Sequence, residues 1–106
     1  MNKQQARFGI GQIVRHAEYG YRGVIADVDP LFLGSEDWYG AVEESARPSK
    51  RQPWYHILVD EDSVQTYVAE QSLHADESVE PVEHPHMDVF FSGFERDHYI
   101  TRQSAN

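Results

Sequence analysis

Six histidines and 18 acidic residues are the groups of this chain that could bind a metal ion. His84 and His86 flank Pro85, and His74 lies nearby in the same acidic stretch. Two histidines at this spacing can hold a divalent ion by chance, whereas a zinc site needs three or four ligands in a fixed geometry. We therefore expect this stretch to be a solvated tail, and the protein to hold no metal.

Two further features could suggest ligand chemistry. His16 and His56 lie within predicted strands, and we interpret each as a hydrogen-bonded structural residue rather than as a ligand or a base. The acidic stretch 60–62 could suggest calcium, but it is far shorter than the 12-residue loop of an EF-hand. It is interpreted as a polar hairpin turn.

The sequence does not indicate an enzyme. The chain has no Cys, which removes thiolate catalysis and Cys-based zinc sites. Nothing selects one pair among its carboxylates or implies an apolar pocket that would separate their pKa values. No Gly-x-Ser-x-Gly motif occurs, and Gly9 and Gly11 precede a strand rather than forming a phosphate-binding loop. We expect a binding function with no catalytic residues and no cofactor.

Exposed aromatic residues are the best candidates for binding a partner. Trp54 is equally consistent with an exposed binding residue and with a cap on the end of the core, whereas Tyr55 is expected in the core. Tyr19 and Tyr21 flank the turn at Gly20, so at least one of them should be exposed. The set of candidate partner-binding residues is Trp54, Tyr19, Phe90, Phe91 and Phe94.

The charge distribution bears on DNA binding. The formal net charge is −9, which opposes the approach of a polyanion. Residues 1–25 contain four basic residues against Glu18 alone, whereas residues 60–88 contain nine acidic residues and no Lys or Arg. Each phosphate contact lowers log K by about 0.9 per decade of salt, so a few contacts would give weak, salt-sensitive binding. The candidate DNA contacts are Arg7, Arg15, Arg22, Arg47, Lys50 and Arg51.

Four stretches that alternate apolar and polar residues, at 12–16, 21–29, 53–60 and 64–69, predict the strands that position these groups. In the second strand, Val24, Ala26 and Val28 should share one face, opposite Ile25. Residues 31–52 interrupt the pattern and predict a long, partly ordered insertion with a helical turn near 41–46. A short helical turn is also predicted at residues 72–73.

We predict an all-β fold, a small SH3-like antiparallel barrel with a long insertion and a C-terminal extension. Residues 1–106 form one domain, with the barrel core at 8–73 and an acidic, aromatic extension at 74–106. The late apolar cluster of Phe90, Phe91, Phe94, Tyr99 and Ile100 should dock on the barrel or on a neighbouring subunit of a homo-oligomer. No signal peptide or membrane span is evident, and a cytoplasmic location is expected.

Several blocks of the sequence, in order and spacing, resemble a known family. The stretches 8–16, 20–25, 27–30, 53–56 and 66–70 resemble the HspQ heat-shock proteins, bacterial members of the YccV-like, hemimethylated-DNA-binding family. The likeness is strong over residues 8–73, looser around Met87, and does not extend past Tyr99. It implies an SH3-like barrel without enzymatic activity.

The resemblance also implies two roles. One is to promote degradation of denatured proteins, such as the replication initiator, by a Lon-type protease during heat stress. The other is to bind hemimethylated DNA. We expect the first, a non-enzymatic stress-response protein with the protease and denatured client proteins as partners, and take DNA recognition through the basic N-terminal half as the alternative.

Overall fold

The computed structural model of the protein describes residues 5–78 and 80–102. Its main element is a five-stranded antiparallel sheet with the strand order β4-β3-β2-β1-β5. A second, two-stranded sheet pairs β6 with β7. The strands are β1 (Ile13–His16), β2 (Arg22–Asp29), β3 (Trp54–Val59), β4 (Gln65–Ala69), β5 (Leu73–Ala75), β6 (Phe91–Glu95) and β7 (His98–Thr101).

The predicted strands β1 to β4 are confirmed to within one or two residues at each end. A tight turn at Gly20, whose φ of 79° suits glycine, joins β1 to β2. The acidic stretch 60–63 is the predicted hairpin turn between β3 and β4. The helical turn predicted at 72–73 is a 3-10 helix at Glu70–Ser72. It leads into β5, a strand that the sequence did not predict: Leu73 was placed in the helical turn and residues 74–75 in the C-terminal extension.

The predicted alternation along β2 is correct at its start and wrong at its end. Val24 and Ala26 pack on one face of the sheet and Ile25 packs on the other. The register of β2 against β3 shifts between Ile25 and Asp27. A bulge inserts one extra residue and changes which side chains face the core. Val28 therefore packs with Ile25 rather than with Val24.

Both faces of the large sheet are buried. The first core cluster lies on one face and consists of Phe8, Val14, Ile25, Tyr55, Ile57, Val68 and Leu73. The second core cluster lies on the other face and consists of Ile13, Val24, Ala26, Leu58, Val82 and Phe91. The late aromatic residues thus pack on the sheet of their own chain, which is the first of the two docking sites predicted from the sequence. Burial on both faces explains why the strands are more apolar than a one-sided sheet requires.

The insertion between β2 and β3 covers one end of the second face. It contains helix α1 (Glu36–Ala41), which begins after Ser35, whose Oγ accepts a hydrogen bond from Trp38 N at 3.0 Å. A 3-10 helix follows at Glu44–Ala46, within the stretch predicted to be a helical turn. Helix α2 (Met87–Phe90) precedes β6. Across the two described ranges, no helix has the length and apolar character that a membrane crossing requires.

The all-β antiparallel class is confirmed, but closure of the sheet into a barrel is not. The two outer strands of the sheet, β4 and β5, are edges: within the described residues no strand joins one to the other. A 3-10 helix separates them in sequence, and β5 has only three residues. The sheet is therefore an open one with a gap beside β4.

Candidate binding groove

An open groove of about 640 Å³ runs along the outer edge of β4. One wall is the turn between β1 and β2, and the other is the insertion with helix α1. All five residues of β4 line the groove. Its volume falls in the range of small-ligand and peptide-side-chain sites. The sequence did not indicate this groove, because three segments far apart in the chain form it.

His16 organises the wall at the β1–β2 turn. Its Nδ1 accepts hydrogen bonds from the backbone N of Glu18 and of Tyr19, both at 3.1 Å. An Nδ1 that accepts carries no proton, so the hydrogen bonds favour the neutral ring. Burial lowers the pKa of His16 below 6.5, against the opposing effect of the Glu18 carboxylate. The ring of Tyr19 stacks on His16 with centroids 4.7 Å apart and is itself 73% exposed.

An aromatic cluster forms the wall at the insertion. Phe32 packs edge-on against Trp54, with ring centroids 5.0 Å apart, and Tyr67 lies 5.2 Å from Trp54. Trp38 contacts both Phe32 and Trp54 and is 44% exposed. Trp54 is only 2% exposed. Of the two roles considered for it, an exposed binding residue or a cap on the core, the structure supports the second. Trp38, which is not among the five candidate partner-binding residues, is the exposed aromatic of this wall.

A polar network lies between the aromatic cluster and the second core cluster. Asp29 Oδ2 accepts a hydrogen bond from Tyr67 OH at 2.7 Å and lies 3.1 Å from His56 Nε2. Tyr67 OH in turn accepts from Leu33 N at 3.0 Å, which ties the insertion to β4. Burial, together with the hydrogen bond to Asp29, raises the pKa of Tyr67 to about 12, although the bond from Leu33 opposes this. His56 is thus hydrogen-bonded, as the sequence predicted.

Asp27 completes the one group in the described part of the chain that could hold a metal ion. One ligand atom each from Asp27, Asp29 and His56 lie within 4.8 Å of one another. Binding a cation there would require the contact between Asp29 and His56 to open. Sequence spacing could not indicate this group, because the pairing of β2 with β3 brings its members together.

Arg22, a candidate DNA contact, instead holds the fold together. Its guanidinium lies 2.7 Å from Asp60 Oδ2 and 3.0 Å from Asp76 Oδ2, and it also donates to the carbonyl of Glu80. The Arg22 side chain is 13% exposed. Burial opposes the charge, but the two carboxylates raise the pKa of Arg22. Arg15 shares the same cluster, with its guanidinium 3.1 Å from Asp76 Oδ1.

Two of the three cations of the insertion, Arg47 and Lys50, are also engaged. Lys50 Nζ lies 2.7 Å from Glu36 Oε2. Arg47 donates to the carbonyl oxygens of Val42 at 2.8 Å and Gly40 at 3.0 Å. The guanidinium groups of Arg7 and Arg51, the other candidate DNA contacts, form no ion pair within the described residues, although the backbone N of Arg7 donates to Glu70 Oε2 at 2.7 Å. Within residues 5–78 and 80–102, no Lys or Arg lines the groove.

The other candidate partner-binding residues lie away from the groove. Phe91 is 3% exposed and belongs to the second core cluster, against which Phe90 and Phe94 pack while partly buried. Among the five residues nominated from the sequence, Tyr19 alone presents a large exposed ring on the groove.

Together these features describe a small, all-β protein with an open, aromatic groove beside an unpaired strand edge. Residues 6–98 match the family model described as "Hemimethylated DNA-binding protein YccV like". The chain belongs to this YccV-like family, as the resemblance of its sequence blocks predicted.

Proposed function

We propose that this protein is a non-enzymatic stress-response factor that binds denatured polypeptides and promotes their degradation by a Lon-type protease. The observation that carries the proposal is the aromatic groove along β4, whose lining, among the residues that the structure describes, includes no Lys or Arg. Such a groove suits side chains and backbone of a polypeptide better than the phosphates of a nucleic acid.

The exposed aromatic residues support binding of an apolar segment. Tyr19 and Trp38 stand on opposite walls of the groove and are both substantially exposed. Aromatic rings offer large apolar contact area at low conformational cost and are enriched at protein interfaces. A denatured protein exposes the apolar side chains that such a surface would bind, whereas a folded one buries them.

The cations support the same choice. Arg15, Arg22 and Lys50 lie in ion pairs with carboxylates, so a phosphate would have to displace an existing partner. Arg47 is held by backbone carbonyls. The net charge of −9 adds a repulsive field. Among the six candidate contacts, within the described residues, this leaves the guanidinium groups of Arg7 and Arg51 without ion pairs or carbonyl partners, which is too few for tight binding to duplex DNA.

Recognition of hemimethylated DNA is the second candidate, and the family description favours it. A protein that reads a methyl group can do so by flipping the base into a pocket lined with aromatic rings. The groove could accept such a base between Tyr19 and Trp38. In that case Arg7 and Arg51, whose guanidinium groups form no ion pair within the described residues, would be the candidates for contacts with the DNA backbone.

The test is a reconstituted degradation assay with a purified Lon-type protease and a denatured client protein. We expect the protein to raise the rate of client degradation, and Tyr19→Ser to remove most of that increase, because it removes an exposed ring from the groove. Val89→Ser is the matched control, since Val89 is also highly exposed but lies at helix α2, away from the groove. No increase in rate with the wild-type protein would refute the proposal.

A further inference from the structure

We propose that β4 is a docking strand: one extended, cationic segment of another polypeptide enters the groove and pairs with the outer edge of β4. This inference rests on the proposed function and specifies how the polypeptide is bound. Pairing with an exposed sheet edge takes affinity from main-chain hydrogen bonds and specificity from pockets for alternate side chains.

The hydrogen-bond pattern shows which backbone groups of β4 point outward. Val59 N donates to Val64 O at 3.1 Å, and Glu70 N donates to Pro53 O at 3.0 Å. In an antiparallel pair, hydrogen-bonded positions alternate with positions whose N–H and C=O point away from the partner. Counting in twos from Val64, the inward positions include Thr66 and Val68.

The outward positions are therefore Gln65, Tyr67 and Ala69. Ala69 is buried at 1% exposure, so the accessible edge consists of Gln65, which is exposed, and Tyr67, which is partly exposed. The N–H and C=O groups of these two residues have no strand beside them in the described part of the chain. An edge of this kind is a template for an added strand.

The groove follows this edge rather than one face of the sheet. Successive side chains of a strand point to opposite faces, yet every residue of β4 lines the groove. A groove that meets all five must run beside the backbone. Its far wall carries His16, Tyr19 and Tyr21, and Tyr21 OH lies 2.9 Å from Thr66 Oγ1. The groove thus occupies the gap that is left because the sheet does not close.

Charge identifies the kind of segment that fits. Of the described residues that line the groove, Glu18 is the one carboxylate, and none is a Lys or Arg. The insertion that supplies the other wall, residues 31–52, contains four acidic residues against Arg47, Lys50 and Arg51, and the chain as a whole carries a net charge of −9. A segment with apolar side chains at alternate positions and Lys or Arg nearby would complement both the aromatic walls and this charge.

The test uses a synthetic peptide of alternating Val and Thr with a lysine at each end. We expect it to slow hydrogen exchange of the Gln65 and Tyr67 amides at least about tenfold, because they gain hydrogen-bond acceptors. The amides of Thr66 and Val68 already bond to β3 and serve as internal controls. The same peptide with N-methyl groups at alternate residues should not bind. Protection confined to other parts of the protein would overturn the proposal. Pairing of the β4 edge with a second copy of this chain, in place of the peptide, would also overturn it.

Substitution of Gln65 isolates the outward N–H. Gln65→Pro removes this donor without breaking a bond to β3, and proline is tolerated on an edge whose N–H faces solvent. Gln65→Ala removes the same side chain but keeps the donor. We expect Gln65→Pro to weaken peptide binding about tenfold and Gln65→Ala to change it less than about twofold. Equal affinities of the two variants would contradict edge pairing.

Running both variants in the degradation assay separates this inference from the proposed function. Stimulation that survives in Gln65→Pro at the wild-type level would refute edge docking and leave the protease role standing. Peptide protection at Gln65 and Tyr67 without any effect on degradation would refute the protease role and leave edge docking standing.

Discussion

Arg22 shows at the scale of a single residue how a basic side chain can belong to the fold rather than to a ligand site. Its ion pairs with Asp60 and Asp76 join β2 to the β3–β4 turn and to the segment after β5. The Asp76 side chain is 3% exposed. Loss of the guanidinium would leave a buried carboxylate without its main partner, which is strongly destabilising.

We predict that Arg22→Ala lowers the free energy of unfolding by about 3 kcal/mol. Arg51→Ala, at an exposed position, should change it by less than about 0.5 kcal/mol. Urea unfolding of both variants measures the difference. Equal, small losses would show that Arg22 contributes no more than a surface cation.

His16 gives the fold a dependence on pH. Its pKa lies below 6.5 in the folded protein, so the unfolded chain takes up a proton more readily. The stability linked to His16 is therefore fully present above the pKa that this residue has in the unfolded chain, and it declines as the pH falls through that pKa. The pKa of Asp76 is lowered by hydrogen bonds from Ser78 and Arg22 despite its burial. The stability contributed by the Asp76 carboxylate is lost only at a lower pH, below the ordinary pKa of 3.8 for this group.

We predict that the wild-type protein loses stability between about pH 7.5 and about pH 5.5, while His16→Gln loses less over the same interval. The reason is that protonated Nδ1 can no longer accept from Glu18 N and Tyr19 N. Urea unfolding at the two pH values gives both differences. Parallel losses in the two proteins would assign the pH dependence to another group.

At the scale of elements, local pattern predicted β1 to β4, because alternation and tight turns are local features. It missed β5, a three-residue strand that exists through its pairing with β1. It also missed the β6–β7 hairpin, whose turn places Arg96 at a φ of 62° where glycine or asparagine would be the usual signal. The bulge after Ile25 left no trace in the alternation of β2.

The candidate site was predictable to a smaller extent. The sequence indicated Tyr19 as a candidate because this residue flanks a glycine turn, where exposure of a side chain follows from local geometry. Trp38 was not among the five named candidates, because its position beside β4 depends on the path of the insertion. The outward edge of β4 was not predicted, because it depends on the sheet remaining open. The roles of Arg22 and Trp54 depend on partners from distant segments, which one sequence does not reveal.

Gly11 joins the β6–β7 hairpin to the large sheet. Its carbonyl accepts from Tyr99 N at 2.8 Å, its φ is 93°, and an added Cβ would collide with the Tyr99 carbonyl oxygen. We predict that Gly11→Ala destabilises the protein by more than about 2 kcal/mol, through backbone strain and displacement of the hairpin. Gly9→Ala is the control, because nothing lies within 4 Å of a Cβ there. Similar urea midpoints for the two variants would contradict the prediction.

At the scale of the whole molecule, the C-terminal segment completes the fold. Val82 and Phe91 are buried against the second face of the sheet, and Tyr99 OH accepts from Val82 N at 2.8 Å. The described part of this segment, up to residue 102, is therefore not a separable tail, and residues 103–106 lie outside the described range. With that face covered, the groove beside β4 is an open surface on which aromatic side chains and unpaired backbone meet.

The net charge of −9 and the aromatic groove together predict different binding of the two candidate ligands, an unfolded polypeptide and hemimethylated DNA. Fluorescence anisotropy would compare a labelled, permanently unfolded polypeptide with a labelled hemimethylated duplex, beside fully methylated and unmethylated duplexes, at about 50 and 200 mM salt. We predict that the polypeptide binds at both salt concentrations, and that the three duplexes bind weakly, equally and only at the lower one. A preference for the hemimethylated duplex that persists at the higher salt, with no binding of the polypeptide, would contradict the polypeptide-binding role.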